Sequence, residues 1–313
     1  MLPGMPISHI LVPVDLESDD SYAARYGVSI AKLFDARITL LHVASWQTTG
    51  VVAVEPMYMP QGLIVRLEAE RMEIIGNKLA KLTSSLGDTG SIKVETDVKR
   101  GFAPDGISHW AEQNQVDLIV MESRSTLGGG FLLGGTADKV SRHAPCPVLI
   151  APPSATDDEA QLKSALVTVD YSAFSLPAAS LAAKLVGPGG KIELIHAWQP
   201  PFLPNLDAHL TGCADELHEA VEKQRNAQAD GLTRIAAQID APGLTIHSYL
   251  AEGSPAREVL RRAEELKPDV IVLGAHSRER LNERVRGTVA DRVLRHAHIP
   301  VLMVPAAALE ALS

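Results

Sequence analysis

Near the carboxyl terminus lies a run of residue types suited to holding phosphates. Gly274-Ala275-His276-Ser277 leads into Arg278, Arg280, Arg284 and Arg286, and then into Gly287-Thr288-Val289, which opens a helical pattern toward His296. Glycine lets backbone approach a ligand closely, a helix amino end offers unpaired N–H groups, and a threonine hydroxyl beside them is a further donor. A plainer account uses the same residues: a loop that starts at glycine, a threonine helix cap, and arginines that are solvated or paired with Glu279 and Glu283. Two carboxylates also stand out by position, Asp15 and Asp170, each directly after a short apolar run.

The elements that must position these residues occur twice. Leu11-Val12-Pro13-Val14-Asp15 returns as Leu166-Val167-Thr168-Val169-Asp170, and Leu40-Leu41-His42 returns as Leu194-Ile195-His196. Asp117-Leu118-Ile119-Val120 matches Asp269-Val270-Ile271-Val272, and the run from Arg142-His143-Ala144 to Ile150 matches that from Arg295-His296-Ala297 to Met303. The offsets lie between 152 and 155, so one unit of half the chain is duplicated. In the first unit the pattern predicts strands near 7–14, 37–43, 92–98, 117–121 and 147–150, with helices over 21–34 and 66–86. In the second it predicts strands near 164–169, 191–197, 244–250, 270–273 and 301–304, with helices over 175–186, 215–239 and 255–266. Strands this apolar are covered on both faces, which implies a parallel sheet between helices. The expected fold class is α/β, with two tandem doubly wound parallel-sheet domains over 1–151 and 163–313 joined by a proline-rich, acidic linker at 152–162. Ligands of such sheets bind beyond the carboxyl ends of the strands, which singles out the residues after the first and fourth strands of each unit.

Composition narrows the classes. The 313 residues suit two domains, and 29 basic against 38 acidic residues give a net charge of −9, which argues against a general nucleic-acid or anionic-membrane surface. No stretch approaches the length of an apolar membrane span, and the amino terminus lacks the pattern of a secretory signal, so a cytoplasmic location is expected. Cys146 and Cys213 do not correspond between the units, which argues against a disulfide framework. His209, Cys213 and His218, with Asp215 near, read as an incidental cluster rather than a zinc site, because Pro204 and Gly212 interrupt the helix that would align them. His143 and His296 fall at the ends of the last helices, where a helix-terminal charge or a domain contact is the simpler role than a phosphate ligand.

A strand ending in Val-x-Val-Asp, a fourth strand followed by Gly-x2-Gly-x9-Gly-Ser/Thr, and Arg-His-Ala-x-x-Pro-Val-Leu together resemble the universal stress protein family, over both halves of the chain and most closely its tandem members. The resemblance implies adenine nucleotide alpha-hydrolase-like domains related by a pseudo-twofold axis, paired through their last strands, Val148 to Ala151 against Val301 to Pro305. It further implies binding of ATP or a related adenine nucleotide, with or without Mg²⁺, and a regulatory role in stress responses. Adenosine would lie near the first-strand Asp and the end of the second strand, and phosphates on the glycine loop. Carried onto this sequence, the binding residues are Asp170, Ala197, Gly274, Ser277, Arg278, Gly287, Thr288 and Val289 in the second unit, with Asp15 and Val43 as first-unit counterparts. Beyond intramolecular pairing of the domains, a homodimer stays open.

The units depart from the motif unequally. The second changes only one glycine, to Ser277. The first reads Glu122-Ser123-Arg124-Ser125, with one residue fewer on the way to Arg142-His143, so either Gly134-Gly135 or Gly135-Thr136 takes the place of Gly287-Thr288. Glu122 puts a carboxylate where ribose or phosphate would approach, although Gly128, Gly129 and Gly130 could loosen that loop. The second unit is therefore the expected nucleotide domain. Two rivals remain: a slow ATPase in which Asp170 helps hold Mg²⁺ while the arginines stabilise γ-phosphate charge, and a nucleotide-free scaffold or apolar-ligand binder.

Overall fold

In the first unit the strands are His9–Pro13 (β1), Arg37–Ala44 (β2), Val94–Arg100 (β3), Leu118–Glu122 (β4) and Val148–Ala151 (β7), with a short hairpin of Arg124–Ser125 (β5) and Phe131–Leu132 (β6) between the last two. Between them lie the helices Tyr22–Phe34 (α1), Gln61–Ser85 (α2), Ala103–Gln113 (α3) and Gly135–His143 (α4). The second unit repeats the order with Ser164–Thr168 (β8), Ser175–Val186 (α5), Lys191–Trp198 (β9), Ala214–Gln238 (α6), Thr245–Glu252 (β10), Pro255–Leu266 (α7), Val270–Gly274 (β11), Val289–His296 (α8) and Val301–Val304 (β12), and ends in Ala306–Glu310 (α9). This computed structural model describes residues 7–17, 20–44, 61–125, 131–132, 134–152, 160–199, 214–274 and 289–310.

Local chemistry sets the helix ends. Ser21, in extended conformation, accepts a hydrogen bond from Ala24 N–H and caps α1, while Asp35 ends the helix in the left-handed conformation with its N–H donated to Ala31 O. The buried face of α1, from Ala23 and Ala24 through Ile30 and Ala31, recurs at helical spacing.

The ten long strands form one sheet in the order β10-β9-β8-β11-β12-β7-β4-β1-β2-β3. All neighbours run parallel except β12 and β7. Each half therefore places its first and fourth strands side by side at the centre, where the connections turn in opposite directions; ligands of open α/β sheets bind beyond the carboxyl ends at such a switch point. Strand residues alternate between two buried layers: Ile10, Val12, Leu149 and Leu302 belong to one, and Leu11, Val148, Val301 and Met303 to the other. Both layers run through the two units without a break, and burying each such side chain contributes about 1.5–3 kcal/mol.

The junction has its own symmetry. Leu302 faces its counterpart Leu149, while Val301 faces Ile150 and Met303 faces Val148, so the flanking pairs exchange under a local two-fold through the two leucines. A second link crosses the same axis: Arg142 Nη2 donates to Asp138 Oδ1 of its own helix at 2.9 Å and to Asp291 Oδ1 of α8 at 2.5 Å. Asp138 and Asp291 are repeat equivalents. The β6 strand also lies against α8.

Most element ends fall within two or three residues of the sequence pattern. The main differences concern the first unit's fourth-strand loop. There Arg124 pairs with Leu132 and Ser125 with Phe131, while Gly128, Gly129 and Gly130 lie outside the described residues. Helix α3, which the pattern reading left out, begins at a proline in its first turn and breaks the apolar periodicity with Gly106.

Candidate functional site

The carboxyl ends of β8, β9 and β11 are neighbours, and they bring three expected residues to one rim: Asp170 just beyond β8, Ala197 near the end of β9, and Gly274 at the end of β11. Val289 heads α8 and packs on the same buried layer as Ala197. Asp170 is exposed. Its Oδ1 accepts from Ser172 N–H at 3.0 Å and from Ser175 Oγ at 2.8 Å, while its own N–H donates to Ser175 Oγ at 3.1 Å. The next residue, Tyr171, takes a left-handed conformation at φ 60, and its hydroxyl donates to Gln228 O in α6 at 2.5 Å. His196 sits beneath: its ring centroid is 4.4 Å from that of Tyr171, and its Nδ1–H donates to Val169 O at 2.7 Å. The ladder between β8 and β9 ends there, so the imidazole takes a carbonyl that no further strand residue reaches.

The first unit builds the same rim with other parts. His42 Nδ1–H donates to Val14 O at 2.9 Å, and Leu16 repeats the left-handed turn at φ 59. Asp15 Oδ1 accepts from Glu17 N–H at 3.1 Å, and Lys78 Nζ donates to Leu16 O at 3.0 Å. Val43 lies against α3, where a Cβ on Gly106 would come within 3.0 Å of its Cγ1. The equivalent pair in the second unit exchanges sizes, small Ala197 with large Glu258. Glu258 is buried in the first turn of α7, where the hydrogen bond from Arg261 holds its carboxyl below the usual range.

At the fourth strand the units differ in charge. Glu122 Oε2 accepts from Ala23 N–H at 3.3 Å in the first turn of α1. The carboxylate thus turns to a helix amino end of its own unit rather than standing loose in the crevice, which corrects the simpler picture of a charge aimed only at an incoming ligand. At Gly274, a Cβ would lie 3.4 Å from Ala178 Cβ and 3.6 Å from Phe174 O, so a side chain there would also head for the first turn of a helix, α5.

The helices α4 and α8 run without interruption to His143 and His296, so counting back from these residues sets the correspondence: Gly134-Gly135 stands for Gly287-Thr288, and the first unit has no hydroxyl at the second position. Ser277, Arg278, Gly287 and Thr288, with the rest of 275–288, lie outside the described residues, as do His209 and Cys213. His143 Nδ1 bonds to Lys139 O at 3.0 Å as the last residue of α4, far from that helix's amino end. Cys146 is a buried free thiol whose pKa burial pushes up to about 12. No helix among the described residues is long and apolar enough to cross a membrane.

Sequence reasoning overlooked Ser175, Tyr171 and His196 as parts of the rim. The available signal was the histidine that recurs two residues before the end of the second strand in both repeats, His42 and His196.

The architecture and rim define a tandem α/β protein with a switch point in each unit of one continuous sheet. The sequence profile of the universal stress protein family matches residues 6–152 and again 161–305, and the chain belongs to that family. A universal stress protein of Mycobacterium tuberculosis is 26% identical over 303 residues, 94% of this chain and 96% of that protein. One from Mycolicibacterium smegmatis is 25% identical over 306 residues, with the same shares covered. Among solved structures, a universal stress protein from Archaeoglobus fulgidus shares the fold with a TM-score of 0.58 at 18% identity, over 95% of this chain and 96% of that one.

Proposed function

We propose that this chain is an adenine-nucleotide-binding universal stress protein whose second unit is the working site, with a regulatory role in stress responses in the cytoplasm. The observation that carries the reading is the exchange of Glu122 for Gly274 at equivalent positions, the ends of β4 and β11. In the second unit, Asp170 follows β8, Ala197 lies near the end of β9, and Gly274 ends β11 with no side chain, four residues before an arginine-rich stretch of the sequence, 278–286. An ionised carboxylate only accepts hydrogen bonds, so Asp170 suits a donor such as a ribose hydroxyl, whereas phosphates suit glycine backbone and arginine. The residues at the rim fit ATP, with or without Mg²⁺.

We further read 1–151 and 163–313 as domains joined by 152–162 and held together in solution through the β7–β12 junction. Native mass spectrometry and calorimetry test the assignment. One tight adenine nucleotide per chain is expected; two equal sites, or a chain that takes up no nucleotide, would overturn it. Separately expressed halves should associate with themselves or with each other, and two well-behaved monomers would refute the pairing.

A further inference from the structure

We propose that Ser175 is a positioning residue of the second unit's site, whose buried hydroxyl fixes the Asp170 carboxylate for a ribose hydroxyl of the bound nucleotide. The inference rests on the nucleotide reading above. Ser175 is the first residue of α5 and is 3% exposed, so its hydroxyl is not shared with bulk water. The same oxygen accepts from Asp170 N–H and donates to Asp170 Oδ1, closing a small ring around one residue. Ser172 N–H adds a second donor to Oδ1. With the Val169 carbonyl held by His196, backbone and side chain of Asp170 are both constrained before any ligand arrives. A free carboxylate would have to give up rotamer freedom on binding; one fixed in advance does not.

The first unit uses Ser21 otherwise: it comes six residues after the aspartate rather than five, and its Oγ accepts from Ala24 N–H to cap α1.

The test compares ATP with 2′,3′-dideoxy-ATP on the full chain and on Ser175→Ala and Ser175→Thr, by calorimetry, with thermal melts as a check on folding. A hydrogen bond to a charged group supports a preference of about tenfold or more for ATP in the unaltered chain. Ser175→Ala should bring that preference below about threefold by weakening ATP while leaving the dideoxy nucleotide unchanged. Ser175→Thr, which keeps the hydroxyl, should restore it. Equal weakening of both nucleotides, or an unaltered preference in Ser175→Ala, would overturn the role of Ser175 while leaving the nucleotide reading intact. Failure of the unaltered chain to bind ATP would overturn both.

Discussion

At the end of the fourth strand, the first unit presents a carboxylate and the second presents nothing. Glu122 reaches Ala23 N–H, whereas Gly274 leaves open the corresponding approach to α5. A helix amino end attracts an anion, and that need is met in one unit by the chain itself. The two copies thus share a scaffold but differ in what their fourth strand sets against that helix end. A second contrast lies at the opposite end of the sheet, away from the crevice. There the first unit buries His9 against Thr39, with Nε2 to Oγ1 at 2.9 Å, edge-on to Trp110, whose indole N–H donates to Asp97 Oδ2 at 2.7 Å. The second unit fills the matching positions with Arg262, Glu193 and Tyr249: the guanidinium grips the carboxylate at 2.6 and 2.8 Å and lies 4.2 Å over the phenol ring. Where no ligand is expected the difference is one of structural chemistry alone, an aromatic knot in one copy and an ion pair in the other.

The sharpest way to break the first contrast is to erase it. Gly274→Glu should fold, because a Cβ there meets only ordinary contacts, yet a carboxylate near incoming phosphates should weaken binding by about a hundredfold or more. Unchanged affinity by calorimetry would mean that the glycine is incidental. Next in size is the stability pair at the far end. Trp110→Ala should cost about 3–5 kcal/mol in denaturant unfolding, and Arg262→Ala about 1–3 kcal/mol. Raising the salt should shrink only the second loss. Equal salt responses would refute the division into aromatic and ionic halves.

A smaller effect follows from His9. Burial, reinforced by Arg37, lowers its pKa below the ordinary 6.5, so the folded chain binds that proton less readily than the unfolded one. Its contribution is present above 6.5 and is lost as the pH falls through the folded value. His9→Gln should flatten the stability profile on the acid side of neutrality, and an unchanged slope would exclude the histidine as its source. The smallest effect is one of rate. Cys146 has Ile299 as its repeat counterpart, and its raised thiol pKa keeps it mostly unreactive near neutral pH. Alkylation of Cys146 should therefore follow opening of the first unit, and labelling as fast as that of a free thiol would show that this layer opens readily.

The duplicated runs made the sheet legible, since Val-x-Val-Asp and Pro-Val-Leu announce strands by composition alone. What stayed hidden depends on relations between distant turns. That Glu122 meets Ala23 follows from where α1 begins beside β4, and no spacing rule connects residues 99 positions apart. The grip of Ser175 on Asp170 requires Tyr171 to turn left-handed, which a tyrosine rarely does. The pairing of Arg124 with Leu132 and Ser125 with Phe131 was hidden because two-residue strands leave no alternation to read.

The pairing of Leu149 with Leu302 has a further meaning for inheritance. When two identical chains meet across a two-fold axis, every substitution appears on both sides, and neither half can change alone. Here the halves that meet are encoded separately. A glutamate at one fourth strand imposes nothing on the other, and the two rims were free to diverge one substitution at a time.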